Sequence, residues 1–426
     1  MKTKLYLFLV IQFYNSVAGA LATMIIPSSD RVIRLVTFSA DGLMLLLALS
    51  AFWTRRSFYG VKFMALFLLA STLTFIYTIE RFGFPEHLNG LRETLFFFSS
   101  LVVVYDLYES HIRPDLVRIF TRYLIVFAIL QTPFAVFQFL KYGAGDAVGG
   151  LYGTGGGSGY MSQLLFLICF FLVVRFSSLE DGSNFIISRT ILFVPILIPC
   201  ALNETKISFI LLAAMLLLLV TSPRQMYRAI PLLILGAGLM FLLNYYYSQT
   251  VEDTSNIFDE GYIEKYLLTN PTGTGGDLPR FQRILIMFRL MGGDIGSILL
   301  GMGYGVLGGG NIMGTSRLGR SLFYLVNGSR ILLFRTWIQG GLLAVIFVAG
   351  AMFGYLRAKV ENVFTVRQFS FFVFFSLIVI WAYDEAIFDR VFAPITAYFM
   401  MWIRAGGMSG EEYPGGESER EVAVHA

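Results

Sequence analysis

Cysteine and histidine are scarce in this 426-residue chain, which has 2 cysteines and 3 histidines. The cysteines, Cys169 and Cys200, lie in apolar stretches, which predicts core packing rather than disulfide or redox chemistry. So few histidines argue against a histidine metal centre, and we expect neither a metal nor another cofactor. The chain also lacks a nucleotide-binding P-loop and a heptad repeat, the signatures of nucleotide hydrolysis and of a coiled coil.

Charge is scarce as well: 14% of the residues are charged, whereas 56% are hydrophobic. A soluble core of this size could not cover so much apolar surface, so lipid must be the solvent for much of the chain. The net charge of +4 is modest, and we predict no nucleic-acid partner. The composition therefore predicts an all-α polytopic membrane protein whose first partner is the lipid bilayer.

Apolar windows of about 20 residues, the length that crosses a bilayer, recur along the chain and predict about twelve transmembrane helices. They cover approximately 5–26, 32–53, 60–79, 92–109, 119–140, 160–176, 186–202, 207–221, 229–247, 331–355, 368–384 and 390–404. The chain thus divides into nine N-terminal spans (1–247), a large polar loop with short helices (248–330), C-terminal spans (331–405) and a disordered tail (406–426).

Basic residues in the short loops set the predicted orientation. With the N-terminus inside, most short basic loops face the cytoplasm, as expected for a membrane protein. Both termini are then cytoplasmic, and the 248–330 loop lies on the outer side. Lys2 and Lys4 before an apolar run superficially resemble a secretory signal, but the many later spans favour an uncleaved first helix.

The large loop contains a predicted amphipathic helix. Asp277 and Pro279 supply a helix start, and Arg280 and Arg283 fall on the polar side of the helix. Such an arginine pair at a membrane boundary would suit a phosphate or pyrophosphate. The alternative is an interfacial helix whose arginines reach past the lipid to water.

Other residues predicted to share this outer face carry charge or glycine. Glu204 and Lys206 stand at the mouth of a short span, either as a functional pair or as an anchor. The run 299–305 is rich in glycine and could approach a ligand through its backbone, or be an irregular loop. The remaining charged residues are Arg289, Arg317, Arg320, Arg330, Arg335 and the acidic group Asp384, Glu385 and Asp389. The acidic group could neutralise the arginines or supply a base.

Three features resemble the O-antigen polymerase and O-antigen ligase superfamily of bacterial envelope glycosyltransferases. They are the Asn-Glu-Thr-Lys start of a mid-chain helix at 203–206, Arg283 followed by Leu-Leu-Gly-Met-Gly-Tyr-Gly at 299–305, and Asn-Gly-Ser-Arg at 327–330 leading into Trp-Ile-Gln-Gly-Gly-Leu at 337–342. The resemblance covers roughly 150–350 in motifs and the whole chain in topology. It implies a bacterial inner-membrane protein with a GT-C-like fold, and metal-independent transfer of a glycan from undecaprenyl pyrophosphate on the periplasmic face, where the 248–330 loop would lie.

The resemblance also implies roles for individual residues. In the family, basic residues at the mid-chain helix start and in the large loop hold the pyrophosphate, which implies that role for Lys206, Arg283 and its neighbour Arg280. From charge and position we expect Arg335 to share this binding, and Arg283, Arg330 and Glu204 to be catalytic. Ligases tend to have a histidine late in the loop, where this chain has Ser329 and Arg330. This departure favours a polymerase of lipid-linked repeat units for exopolysaccharide or O-antigen, with a flippase and chain-length or export proteins as further partners. It leaves Glu204, Asp384 and Glu385 as alternatives for the base.

Three other classes stay open at this point, of which one is a non-catalytic scaffold for an export complex. A ligase-type transferase would use the same donor. A flippase or transporter of lipid-linked oligosaccharide would instead place polar residues within the spans, as at Asp41, Gln131 and Gln138.

Overall fold

The computed structural model describes residues 2–24, 30–54, 58–80, 83–110, 112–143, 147–154, 157–177, 196–203, 207–219, 234, 238, 280–292, 294–307, 331–357 and 364–406. These residues form helices and connecting turns, with no strand among them. The all-α prediction is therefore confirmed for the described part of the chain.

The described α-helices are numbered here in chain order. They are α1 (Lys2–Met24), α2 (Asp30–Thr54), α3 (Phe58–Thr78), α4 (Phe84–Tyr108), α5 (Arg113–Tyr142), α6 (Ser158–Ser177), α7 (Ile207–Leu219), α8 (Arg280–Met291), α9 (Ile295–Leu300), α10 (Leu332–Phe353), α11 (Phe364–Tyr383) and α12 (Phe392–Arg404). Short 3-10 turns cover Gly150–Tyr152, Gly354–Arg357 and Ala386–Phe388.

Five helical stretches are long and apolar enough to cross a membrane: Gly60–Thr78, Arg113–Tyr142, Ser158–Arg175, Leu332–Leu356 and Val366–Tyr383. The predicted spans 186–202 and 229–247 lie mostly outside the described residues, as does the tail from 407. The total of twelve spans and the GT-C topology stay predictions.

Three helices form the centre of the bundle. Every residue of α12 from Phe392 to Ile403 is buried, and α4 is buried almost continuously from Phe96 to Tyr108. The α6 helix is also enclosed, with 83% of its membrane-length window buried. Since α12 has 13 residues, it is about 20 Å long, shorter than a bilayer core. It is a core helix enclosed by its neighbours rather than a lipid-facing span.

The peripheral helices present apolar side chains outward. Val10 on α1, Leu46 on α2 and Leu69 on α3 are each about 60% exposed, and Trp53 at the end of α2 is 91% exposed. Apolar patches of this extent are unfavourable in water but suit contact with lipid chains. The surface of the bundle thus agrees with the membrane prediction drawn from composition.

Candidate functional site: a charged network at one end of the bundle

Eight ionisable side chains gather at the end of the bundle where α4, α6, α10 and α12 begin. They come from α2, α4, α10 and the α11–α12 connection, and they are Asp41, Arg92, Glu93, Arg335, Asp384, Glu385, Asp389 and Arg390. Charges within or beside apolar helices are costly unless they are paired or used for function. Their concentration at one end marks this region as the candidate site.

Arg335, in the first turn of α10, joins two other elements of this network. Its Nη1 donates to Glu385 in the α11–α12 connection, and its Nη2 donates to Glu93 on α4. Its Nε lies 3.4 Å from Gln339 Oε1, one helical turn further along α10. The Arg335 side chain is 7% exposed, so both ion pairs are largely shielded from water. This arginine therefore fixes α10 against α4 and the α11–α12 connection.

Asp41 forms the second junction of the network. Arg390 donates from Nε at 2.7 Å and from Nη2 at 2.9 Å, one bond to each Asp41 oxygen. Arg92 Nε lies 3.1 Å from Asp41 Oδ2, while its guanidinium carbon lies 4.0 Å from the centre of the Phe38 ring. A two-pronged arginine–carboxylate pair fixes orientation as well as distance. Asp41 thereby connects α2 to α4 and to the start of α12.

Asp384 ties three further elements together at the same end. Its side chain accepts hydrogen bonds from Gln163 Nε2 on α6 and, at 2.9 Å, from the amide of Ala386. Its carbonyl oxygen accepts the Leu332 amide at the start of α10, at 3.0 Å. On the neighbouring surface, Asn203 donates to the Ser158 carbonyl at 3.0 Å. The starts of α6 and α10, the end of α11 and the 196–203 segment therefore converge.

Carboxylates outnumber guanidinium groups in the network, five against three. Burial raises the pKa of the Asp389 carboxyl above its usual range, although the amides of Val391 and Phe392 donate to it. Burial lowers the pKa of Arg390, but its hydrogen bond and charge pairing with Asp41 outweigh this effect and keep the pKa above its usual value. Pairing with Asp41 thus holds Arg390 in its charged form, whereas burial favours the neutral form of Asp389.

The glycine-rich run 299–305 packs against α10 beside this network. The amides of Met302 and Gly303 donate to the carbonyls of Ile338 and Gln339, at 2.7 and 3.1 Å. These acceptors are open because α10 is kinked at Gly341, whose φ is 69°. Gly301 also has a positive φ, of 77°. The glycines thus permit a close approach of two backbones, and these two amides are bound to protein rather than available to a ligand.

Helix α9 is fixed to α3 next to the same run. Asp294 caps α9, accepting from the amides of Gly296 and Ser297 at 3.1 and 3.3 Å, and it also accepts from the Tyr77 hydroxyl. Hydrogen bonds from the hydroxyls of Tyr77 and Ser297 lower the pKa of Asp294 to about 2. Thr74 donates to the Leu300 carbonyl at 2.8 Å. The end of α3 is therefore the anchor for this part of the large loop.

The predicted amphipathic helix exists as α8, and it packs near the start of α10. Met291 is buried in a small apolar cluster with Phe334 and Ile338, and the Phe288 and Trp337 rings meet edge to face at 5.2 Å. Leu285, on the same helix, is 51% exposed. Helix α8 thus places the backbone of 280–291 beside the helix that carries Arg335.

The predicted site residues fall into two groups. Arg335 is described and lies within the network, held by two carboxylates. The side chains of Arg280 and Arg283 lie outside what the structure describes, although the α8 backbone is described, and the same holds for Glu204, Lys206 and Arg330 with their backbone. The acidic group was interpreted as neutralising arginines or supplying a base, and Glu385 does pair with Arg335.

Sequence reasoning missed Arg92 and Glu93, the partners on α4. Glu93 is the most exposed carboxylate of the ion-paired set, with 25% of its side chain accessible against 8% for Glu385 and for Asp41. A signal was available, since adjacent charges at the border of a long apolar run are costly unless they are paired. The predicted span begins at 92, so the pair stands at its edge.

Within the described ranges, no group of three or more histidine, cysteine or acidic residues is arranged to hold a metal ion. A scan against models of protein families and a search of curated proteins found no match to this chain. The functional argument therefore depends on the geometry of the network and on the sequence motifs.

Proposed function

We propose that this protein is a metal-independent glycosyltransferase that polymerises oligosaccharide repeat units carried on undecaprenyl pyrophosphate. The reaction would take place at the periplasmic face of the bacterial inner membrane, with both termini cytoplasmic. The observation that carries the proposal is the buried charged network at the end of the bundle where α8 and α9 pack. In the sequence, the large loop 248–330 contains Arg280, Arg283 and Arg330 and is followed directly by α10, which begins at this end.

The chemistry divides between two sets of residues. A sugar hydroxyl of the incoming repeat attacks the anomeric carbon of the growing chain, the bond to lipid pyrophosphate breaks, and the hydroxyl proton passes to a base. The leaving group gains negative charge in the transition state, so cations fixed at a low-dielectric membrane edge stabilise it. Lys206, Arg280, Arg283 and Arg330 are our candidates for that role.

Arg335 has a different place in this proposal from the one expected from the sequence. Its guanidinium already faces two carboxylates, so an incoming pyrophosphate would compete with Glu93 and Glu385 for it. We assign Arg335 to positioning those carboxylates. Glu93, the more accessible of the two, becomes our candidate for the base beside Glu204.

Asp384 fits the role of base less well. Both of its side-chain oxygens accept hydrogen bonds from within the protein, which favours its carboxylate form but leaves it little capacity to receive a hydroxyl proton. We assign it to holding α6 and the α11–α12 connection together.

The flippase alternative depended on polar residues within the spans, and these residues have structural partners. Gln138 exchanges two hydrogen bonds with Gly150, at 2.7 and 2.8 Å, and Gln131 accepts from the Leu151 amide at 2.8 Å. They hold the 3-10 turn over the end of α5. Asp41 is paired with two arginines. Gln131, Gln138 and Asp41 therefore do not favour a transporter over a polymerase.

The test is the lipid-linked glycan and polymer content of a deletion strain that expresses Arg283→Ala, Arg330→Ala, Lys206→Ala or Glu93→Gln. Arg118→Ala is the control, since its exposed pair with Asp115 lies at the start of α5, at the other end of the bundle. Each variant's membrane level is measured alongside.

A polymerase predicts loss of polymer, with single repeats accumulating on the periplasmic side at normal protein levels. Accumulation on the cytoplasmic side would indicate the flippase, and normal polymer that fails to reach its acceptor would indicate the ligase. Normal, fully transferred polymer in all four variants would reject this site.

A further inference from the structure

A polar cavity lies at the far ends of α4 and α12, away from the charged network. Its volume is about 490 Å³, and it is lined by the last turns of these helices and the start of α5. Along α4, Tyr108 follows Arg92 by 16 positions, which corresponds to about 24 Å. The cavity is therefore distinct from the candidate site, and what it binds can be considered independently of the proposed function.

Two arginines stand over two tyrosines in this cavity. The guanidinium carbon of Arg113 lies 4.7 Å from the centre of the Tyr108 ring, and that of Arg404 lies 5.7 Å from the centre of the Tyr105 ring. Tyr105, Tyr108 and Met401 are buried and form its inner wall. Stacking uses the face of a guanidinium, whereas its N–H donors point outward in the plane. Aromatic contact thus places both arginines at the cavity, where Arg404 also hydrogen-bonds the Tyr105 side chain.

Glu109 is the remaining charged residue of the lining, so guanidinium groups outnumber carboxylates two to one. The volume falls within the range of small-molecule sites. Arginine forks match phosphate oxygens in geometry as well as in charge. Helix ends of a membrane bundle also lie at the depth of lipid headgroups, where Arg and Tyr are favoured.

We propose that this cavity binds a phosphate-bearing anion through Arg113 and Arg404, with Ser110 at its polar edge. The phosphate could belong to an anionic lipid headgroup or to a free phosphate compound, since the recognising chemistry is the same. This is a second ligand site at the opposite end of the protein from the glycan chemistry.

The experiment measures ligand binding to the purified full-length protein in detergent by native mass spectrometry. The probes are phosphatidylglycerol, neutral diacylglycerol and inorganic pyrophosphate. Arg113→Gln and Arg404→Gln should each weaken binding of the anionic probe about tenfold, and the double variant about a hundredfold, as for loss of charge-assisted hydrogen bonds. Arg118→Gln is the matched control, because Arg118 is an exposed arginine on the same helix, and it should leave binding unchanged.

Glu109→Gln is a control for misfolding, because a misfolded variant would not bind the probe more tightly. It removes the negative charge from the lining and should tighten binding of the same probe. Retention of phosphatidylglycerol that pyrophosphate does not displace would identify a lipid site, and competitive displacement would identify a site for free phosphate compounds. The proposal is overturned if no anionic probe binds the wild type more tightly than diacylglycerol does. It is equally overturned if the double variant binds like the wild type, or if Glu109→Gln does not strengthen binding.

Discussion

Replacing Arg335 with methionine should destabilise the protein more than any surface arginine substitution. The change leaves Glu93 and Glu385 facing each other without their shared cation. Removing one partner of a buried ion pair typically costs 3–5 kcal/mol. Glu93 is one-quarter exposed and water can screen it, whereas Glu385 is 8% exposed. We therefore expect a loss near the lower limit, about 3 kcal/mol in the free energy of unfolding.

The assay is reversible unfolding of the detergent-solubilised protein by titration with SDS, followed by circular dichroism. Neutralising both carboxylates as well, in Arg335→Met/Glu93→Gln/Glu385→Gln, should recover most of the lost stability because no uncompensated charge remains. Arg118→Ala should change stability by less than about 0.5 kcal/mol, since its pair is exposed. If Arg335→Met is as mild as Arg118→Ala, or if the triple variant is the least stable, the network does not fix these helices as argued.

Three further predictions concern the packing around the network. Gly90→Ala should lower the melting temperature sharply, because an added Cβ would lie 1.4 Å from a carbonyl oxygen of the 299–305 run. Gly42→Ala is the control and should leave the melting temperature unchanged, since no atom lies within 4 Å of its added Cβ. Equal effects of the two substitutions would contradict this prediction. Asp41→Asn should lower the free energy of unfolding by about 2–3 kcal/mol, because its two arginine partners lose their carboxylate. The same SDS titration measures this change, and an unchanged midpoint would refute the prediction. The pKa of Asp294, held at about 2 against an ordinary 3.8, means that this carboxylate stabilises the fold above about pH 4 and loses that contribution as the pH falls toward 2. Tyr77→Phe should reduce that acid-induced decline in melting temperature, and an identical pH profile would count against the hydrogen bond.

Much of the helical architecture could be predicted from local sequence. A transmembrane helix needs a run of apolar residues, and such runs placed α3, α5, α6, α10 and α11 close to their observed bounds. The prediction was poorest at the start of α4. Helix α4 begins eight residues before its predicted span, because Arg92 and Glu93 find partners on other helices and so do not end it.

The glycine run shows a second limit of local reasoning. The sequence allowed a backbone that approaches a ligand at 299–305, but the tertiary structure uses these glycines to approach α10 at the Gly341 kink. Both interpretations require residues without a side chain, so composition alone could not separate them. The deciding fact was the position of the Ile338 and Gln339 carbonyls, which belong to another element.

The sequence by itself determined that this protein is helical and adapted to lipid, because apolar composition and helix length are properties of each segment alone. Only the tertiary structure decided which charges meet. Arg335 and Glu93 are 242 residues apart, and Arg390 and Asp41 are 349 residues apart. Such pairs form when helices pack side by side, and no local pattern in the chain encodes which helix will be the neighbour.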